Sequence, residues 1–175
     1  MNVRITTFDL AARLDAARAL ARTAMSAAGQ PGGILIGQYF HEVTELDGLL
    51  ALGAFHDDEL VGMLLGWPTA SRDWWPAQVR PDLAQTGNLH WLDDAFELAE
   101  IHVHPDHQGR GLGGRLLGAA EQRIPQRRIV LGTNAIDNHR AKEFYRRRGF
   151  RTLTGPFRWL GLPLRVLVLG REIAR

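Results

Sequence analysis

Two stretches of this 175-residue sequence bring together residue types that do chemistry. The first is the turn Gln108-Gly109-Arg110-Gly111-Leu112-Gly113-Gly114, which runs into Leu116, Leu117, Ala120 and Ile124 at helical spacing. Glycines at the entry to a helix let the backbone approach an anion, and the free N–H groups of the first turn favour phosphate together with the helix dipole. Gly109, Gly111, Gly113 and Gly114 would form such a cradle, with Arg110 and Arg115 adding positive charge. A phosphate-bearing ligand is the expected guest. The second stretch lies just upstream, where Glu97, Glu100, His102 and His104 are groups able to take a proton or hold a cation. Ordinary strand-edge charge is the competing account of both glutamates.

Gly109, Gly111 and Gly114 also satisfy the bare G-x-G-x-x-G dinucleotide pattern. Such a site wants an acidic residue about 20 positions later, at the end of the next strand, to hold ribose. Here that region reads Leu131-Gly132-Thr133-Asn134, with no acid, which counts against a dinucleotide-dependent oxidoreductase. Among the seven histidines, His102, His104 and His107 lie closest together, yet no acidic or cysteine partner completes a recognised ligand spacing, so no metal is expected.

These groups need elements to position them. Val3 to Thr7 reads as a first strand, and Leu10, Leu14, Ala17, Ala21 and Met25 recur at helical spacing until Gly29. Gln30 to Leu46 is ambiguous, with room for a second short helix ending before Gly48. Leu49 to Phe55 and Leu60 to Trp67 form a hairpin around His56, Asp57, Asp58 and Glu59. Between Thr69 and Asp94, Pro76, Pro81, Gly87 and three tryptophans predict a long loop with at most a helical turn, a segment placed to shape substrate choice.

Ala95 to His104 is the next strand, and its phase changes: Phe96 and Leu98 are apolar on even positions, Ile101 and Val103 on odd ones. A regular strand cannot bury both pairs on one face, so an extra residue near Ala99, a β-bulge, would put Glu97, Glu100, His102 and His104 on the opposite face. A strand buried on both faces is the alternative. Arg128 to Gly132 is a further strand, Asn138 caps a helix through Arg148 ending at Gly149, and Phe150 to Thr152 and Leu164 to Leu169 close the chain.

Composition bounds the rest. The length fits one domain over residues 1–175. With 45% hydrophobic and 23% charged residues the chain is an ordinary globular one. The absence of cysteine excludes disulfides and a thiolate nucleophile, and points to the cytoplasm. The Ala- and Arg-rich start is interrupted by Asp9 and Asp15 and is taken as part of the fold, and no apolar run is long enough to cross a bilayer. Net charge is +2, but from Pro105 onward there are 15 Lys plus Arg against 5 Asp plus Glu. A basic half suits a polyphosphate partner and the acidic half before it a cationic one.

Ile101-His102-Val103-His104-Pro105-Asp106-His107-Gln108-Gly109-Arg110-Gly111-Leu112-Gly113 resembles the central motif of the GNAT superfamily of N-acetyltransferases, where a strand ending in Val-x-Pro leads into Gln/Arg-x-x-Gly-x-Gly/Ala. Asn138-His139-Arg140-Ala141-Lys142-Glu143-Phe144-Tyr145 followed by Gly149-Phe150 resembles that family's Asn-x-x-Ala-x-x-Phe-Tyr-x-x-x-Gly-Phe block. The resemblance implies an α/β (α+β) fold: a mixed, mostly antiparallel twisted sheet of six to seven strands, flanked by about four helices, with a bulged central strand. It implies acetyl-CoA as cosubstrate, with the backbone of Ile101, His102 and Val103 on pantetheine, Gln108 to Gly114 on the diphosphate, and Asn138 nearby. The acceptor it implies is a small-molecule or peptide amine, with aminoacyl-tRNA left open and no membrane partner. Homodimers are common among similar proteins.

Transfer from a thioester to an amine needs a neutral amine, whereas an alkyl ammonium has a pKa of about 10.4. A base is therefore required. Proteins resembling this one often carry a glutamate at the position of Glu97, which ranks first, with Glu100 second and His102 as an alternative. The leaving sulfur needs a donor, and Tyr145, two helical turns beyond Asn138 on the same face, is the candidate, with core packing as its other reading. A backbone N–H near Val103 would polarise the thioester carbonyl. Arg140, Lys142, Arg146, Arg147, Arg148 and Arg151 are either solvated charge or contacts for the coenzyme's 3′-phosphate or RNA. A non-catalytic acyl-CoA sensor is the alternative function.

Overall fold

The computed structural model describes residues 2–29, 37–136, 138–162 and 164–174. In chain order the elements are β1 (Arg4–Thr7), α1 (Leu14–Ala27), β2 (Leu50–His56), β3 (Glu59–Pro68), α2 (Trp74–Gln85), β4 (Ala95–Val103), α3 (Leu112–Glu121), β5 (Arg128–Asn134), α4 (His139–Arg146), β6 (Arg151–Thr152), β7 (Phe157–Arg158) and β8 (Arg165–Glu172). The fold is a mixed α/β one with mostly antiparallel strands, as expected. The described residues carry eight strands, the additional one being the two-residue β7. The chain forms two compact units, Met1–Trp67 with Ala99–Ile124, and Pro68–Leu98 with Pro125–Arg175.

In the first unit, β1 pairs antiparallel with β2 (Arg4 opposite Phe55) and β2 with β3, with a register shift between Ala54 and Phe55. The β2–β3 turn holds Asp57 and Asp58 at φ 47° and 65°, the conformation that lets a two-residue turn follow the twist of its strands. Ala17, Leu20, Ala21 and Ala24 form the buried stripe of α1, and the first three of them pack with Phe40, Val43, Met63, Leu65 and Trp67. The helix stops before Gly29, whose φ of 64° few other residues adopt. His104 N–H donates to Val61 O at 2.9 Å, tying the end of β4 to β3. Of the ambiguous Gln30–Leu46 segment, residues 30–36 lie outside the described residues, and the remainder holds a 3₁₀ turn at Tyr39–Val43.

In the second unit, β4 runs parallel to β5 over Ala95–Glu97, β5 is antiparallel to β8, and β6 and β7 both pair with β8. The loop expected over 69–94 is a correction: it contains the 12-residue helix α2 between 3₁₀ turns at Thr69–Ser71 and Leu89–Leu92. Pro76 falls in the first turn, where its missing N–H costs nothing. Pro81 and Ala77 are both exposed, so the Ala77 carbonyl deprived of its donor faces water. Trp75, Val79 and Leu83, four residues apart, bury a stripe against Trp91, Val130, Leu153 and Val168. No helix among the described residues is long and apolar enough to cross a membrane.

A Cβ at Gly170 of β8 would lie 2.6 Å from Leu153 Cδ1 and 2.7 Å from Trp91 Cε3, both side chains being buried. Gly170→Ala is predicted to destabilise the protein by about 1–3 kcal/mol through overpacking, measured by urea denaturation.

Candidate functional site

The glycine turn is built by backbone conformation. A 3₁₀ turn at Pro105–His107 leads to an extended Gln108 whose Nε2 donates to Val103 O at 2.9 Å, fastening the turn to the end of β4. Gly109 and Gly111 have φ of 75° and 77°, and a Cβ on either would meet nothing within 4 Å, so glycine is favoured there by the backbone angle and the space above is open. Gly111 stands at the N-cap of α3 and no side chain caps that helix. Arg115 N–H closes the first helical bond, to Gly111 O at 3.0 Å, which leaves the preceding N–H groups of Leu112, Gly113 and Gly114 ahead of the helical ladder. Leu112 is buried and anchors the turn from below. Arg115, expected to add charge here, donates instead from its guanidinium to Val3 O at 2.8 Å.

Beside the turn, the C-terminal part of β4 carries Glu100 and His102. Glu100 Oε1 accepts from Tyr39 O–H at 2.5 Å and its Oε2 lies 2.5 Å from His102 Nε2. The carboxylate is buried, at 9% exposure, so both its oxygens are satisfied by protein groups rather than water. Tyr39 is delivered by the 3₁₀ turn whose Phe40 and Val43 are fully buried, and its ring meets Trp67 edge-on at 6.5 Å. Arg18 Nε holds the turn by donating to Gly37 O at 2.8 Å. The sequence reading missed Tyr39; the buried pair Phe40 and Val43 three residues apart is the signal that a short helical turn fixes it. Ile101, His102 and Val103 are all half-buried.

The remaining candidates belong to the second unit. Glu97 is buried on β4 in register with Val130. Asn138 stands at the N-cap of α4 but makes no cap hydrogen bond; its Nδ2 donates to Thr133 Oγ1 at 3.1 Å, so the capping role is corrected. The helix is also shorter than expected, ending at Arg146. Tyr145 is buried between Phe144 and Phe150, with ring centroids 5.1 and 5.3 Å away.

The basic run is partly neutralised within its own helix. Glu143 accepts from Arg146 Nε and Nη2 at 2.7 and 2.8 Å and from Arg147 Nε at 2.6 Å. These hydrogen bonds, Arg146's first, hold the Glu143 carboxyl down to about 2. Arg148 lies over the Phe144 ring at 3.8 Å. Arg146 and Arg147 of the run are therefore paired within their own helix. Of the clustered histidines, His102 turns to Glu100, while His104 and His107 have ring centroids 6.1 Å apart. No group of three or more metal-ligating side chains is assembled among the described residues.

Removing the Tyr39 hydroxyl leaves a buried carboxylate oxygen short of its donor. Tyr39→Phe is predicted to lower stability by about 1–3 kcal/mol in urea denaturation.

Comparison with known proteins supplies the context for this geometry. The sequence model of the Acetyltransferase (GNAT) family matches residues 20–150. The GCN5-like protein acetyltransferase Rv2170 of Mycobacterium tuberculosis is 30% identical over 140 residues, 75% of this chain and 68% of that protein. Two solved structures share the fold at 16% identity. The ribosomal-protein-S18-alanine N-acetyltransferase of Escherichia coli has a TM-score of 0.71, covering 99% of this chain and 96% of that one. The PaiA N-acetyltransferase of Thermoplasma acidophilum, solved in complex with coenzyme A, has a TM-score of 0.68, covering 98% and 99%.

Proposed function

Because the chain belongs to the acetyltransferase (GNAT) family and is an acyltransferase, we propose that residues 1–175 act as one catalytic domain that moves an acetyl group from acetyl-CoA to an amine by direct attack in a ternary complex. The observation that carries this reading is the uncapped first turn of α3 behind Gly111. Anions bind such helix starts because several N–H groups and the helix dipole converge on them. The coenzyme's diphosphate is placed there, on Gln108, Gly109, Arg110, Gly111, Leu112, Gly113 and Gly114. Pantetheine then runs along the backbone of Ile101, His102 and Val103.

The chemistry follows from what amide formation requires. The attacking nitrogen must lose a proton, and β4 offers Glu97 and Glu100, both buried, and His102, paired to Glu100, for that task. Buried carboxylates also attract the cationic form of an amine. A backbone N–H near Val103 would polarise the thioester carbonyl, and Tyr145 is assigned the protonation of the departing sulfur. Asn138 is assigned to the pantetheine. With no cysteine in the chain, an acyl-cysteine intermediate is excluded, which favours the direct route. The acceptor class is a small-molecule or peptide amine.

Two measurements test the proposal. Titration calorimetry with coenzyme A is expected to show binding that Gly111→Asp weakens at least tenfold, since a carboxylate beside the first-turn amides repels and competes with the diphosphate. Aspartate enters the left-handed region more readily than most residues, so the variant is expected to fold. Thiol release from acetyl-CoA with a panel of primary amines is expected to show turnover by the wild type. Coenzyme binding without turnover of any amine would favour the sensor instead, and unchanged binding by Gly111→Asp would remove the coenzyme from this turn.

A further inference from the structure

We propose that His102 accepts the proton of the attacking amine, with Glu100 and Tyr39 as its positioning residues. This rests on the acetyltransferase reading and assigns its proton-transfer step to a chain of three side chains from two separate parts of the first unit. Glu100 Oε2 lies 2.5 Å from His102 Nε2, and Tyr39 O–H donates to the other carboxylate oxygen at 2.5 Å. An ionised carboxylate only accepts hydrogen bonds, so the imidazole nitrogen facing it carries the hydrogen. That fixes the tautomer: Nε2 is the N–H, and Nδ1 keeps its lone pair. Among the described residues His102 has no second hydrogen-bond partner, which leaves the Nδ1 lone pair for a proton.

The arrangement is suited to a base. The His102 side chain is 11% exposed and that of Glu100 9%, so the pair is largely withdrawn from water and the carboxylate fixes the orientation of the ring. Tyr39 holds the carboxylate in its orientation and keeps its second oxygen occupied, leaving Oε2 for the imidazole. Glu100 itself has both oxygens engaged, which disfavours it as the group that meets substrate directly. His102 also lies in the 101–103 stretch on which pantetheine is placed, so the proton acceptor and the end of the acyl carrier share one segment of β4.

In the step itself the amine nitrogen forms a bond to the thioester carbonyl carbon and passes a proton to Nδ1. The C–S bond then breaks with its electron pair leaving on sulfur, and the thiolate takes a proton from Tyr145, which regains one from solvent. His102 returns its own proton to water before the next turnover.

The test has one readout independent of turnover. Long-range ¹H–¹⁵N NMR of the ¹⁵N-labelled enzyme at neutral pH is expected to show His102 as the Nε2–H tautomer, and Glu100→Gln, whose amide can donate to Nε2, is expected to populate the Nδ1–H form. With an amine that the wild type acetylates, His102→Gln and Glu100→Gln are expected to lower kcat by about 10²–10⁴. A merely structural role would move stability and both kinetic constants without switching the tautomer. An Nδ1–H tautomer in the wild type, or a kcat for His102→Gln within threefold of wild type, overturns the assignment. Failure of the wild type to acetylate any amine would instead strike the acetyltransferase reading, and the tautomer spectrum then decides whether Glu100 positions His102 as argued.

Discussion

The positive backbone angles at Gly109 and Gly111 are the constraint on which the site depends, because they turn the chain from the end of β4 into α3 with no Cβ at either position. A helix begins with N–H groups that its own ladder cannot satisfy, and proteins usually supply a side-chain oxygen for them. Here the N-cap position is a glycine and no side chain takes that role. The unsatisfied donors at α3 are therefore a standing attraction for an anion, with Leu112 buried beneath to keep the turn in place. The tether from Gln108 to Val103 couples this turn to the end of the strand that carries the proposed acid–base residues.

The second dependence is electrostatic. Glu100 is a carboxylate withdrawn from water, and an ionised group in that setting persists only when its hydrogen bonds are met. Tyr39 and His102 meet them. The same bonds that make the buried charge tolerable also orient the imidazole proposed to take the amine's proton. That network requires the 3₁₀ turn at Tyr39–Val43 to be held firmly, which Phe40, Val43 and the Arg18 bond accomplish.

Much of this could be read from the sequence where the cause is local. The hairpin follows from two apolar runs around Asp57 and Asp58, and the turn into α3 from its glycines, because strand period and left-handed backbone are encoded over a few residues. The helix α2 was hidden by its prolines: Pro76 and Pro81 punctuate the segment, and the stripe Trp75, Val79, Leu83 is only one residue wide. Asn138 has the residue type of a cap, but its amide reaches Thr133 across the preceding turn, a preference set by the tertiary neighbour. Tyr39 and Glu100 lie 61 positions apart, so no local pattern announces their bond. The pairing of Glu143 with Arg146 and Arg147, at i+3 and i+4, was by contrast available from helical spacing alone.

The central claim is that the backbone amides at the start of α3 bind the coenzyme's diphosphate. Titrating coenzyme A into ¹⁵N-labelled protein and following the amide resonances tests it most directly. The account predicts that the Leu112, Gly113 and Gly114 amides shift in proportion to occupancy, together with those of Gly109 and Gly111. Saturable binding that leaves these resonances unmoved while amides elsewhere shift would contradict it.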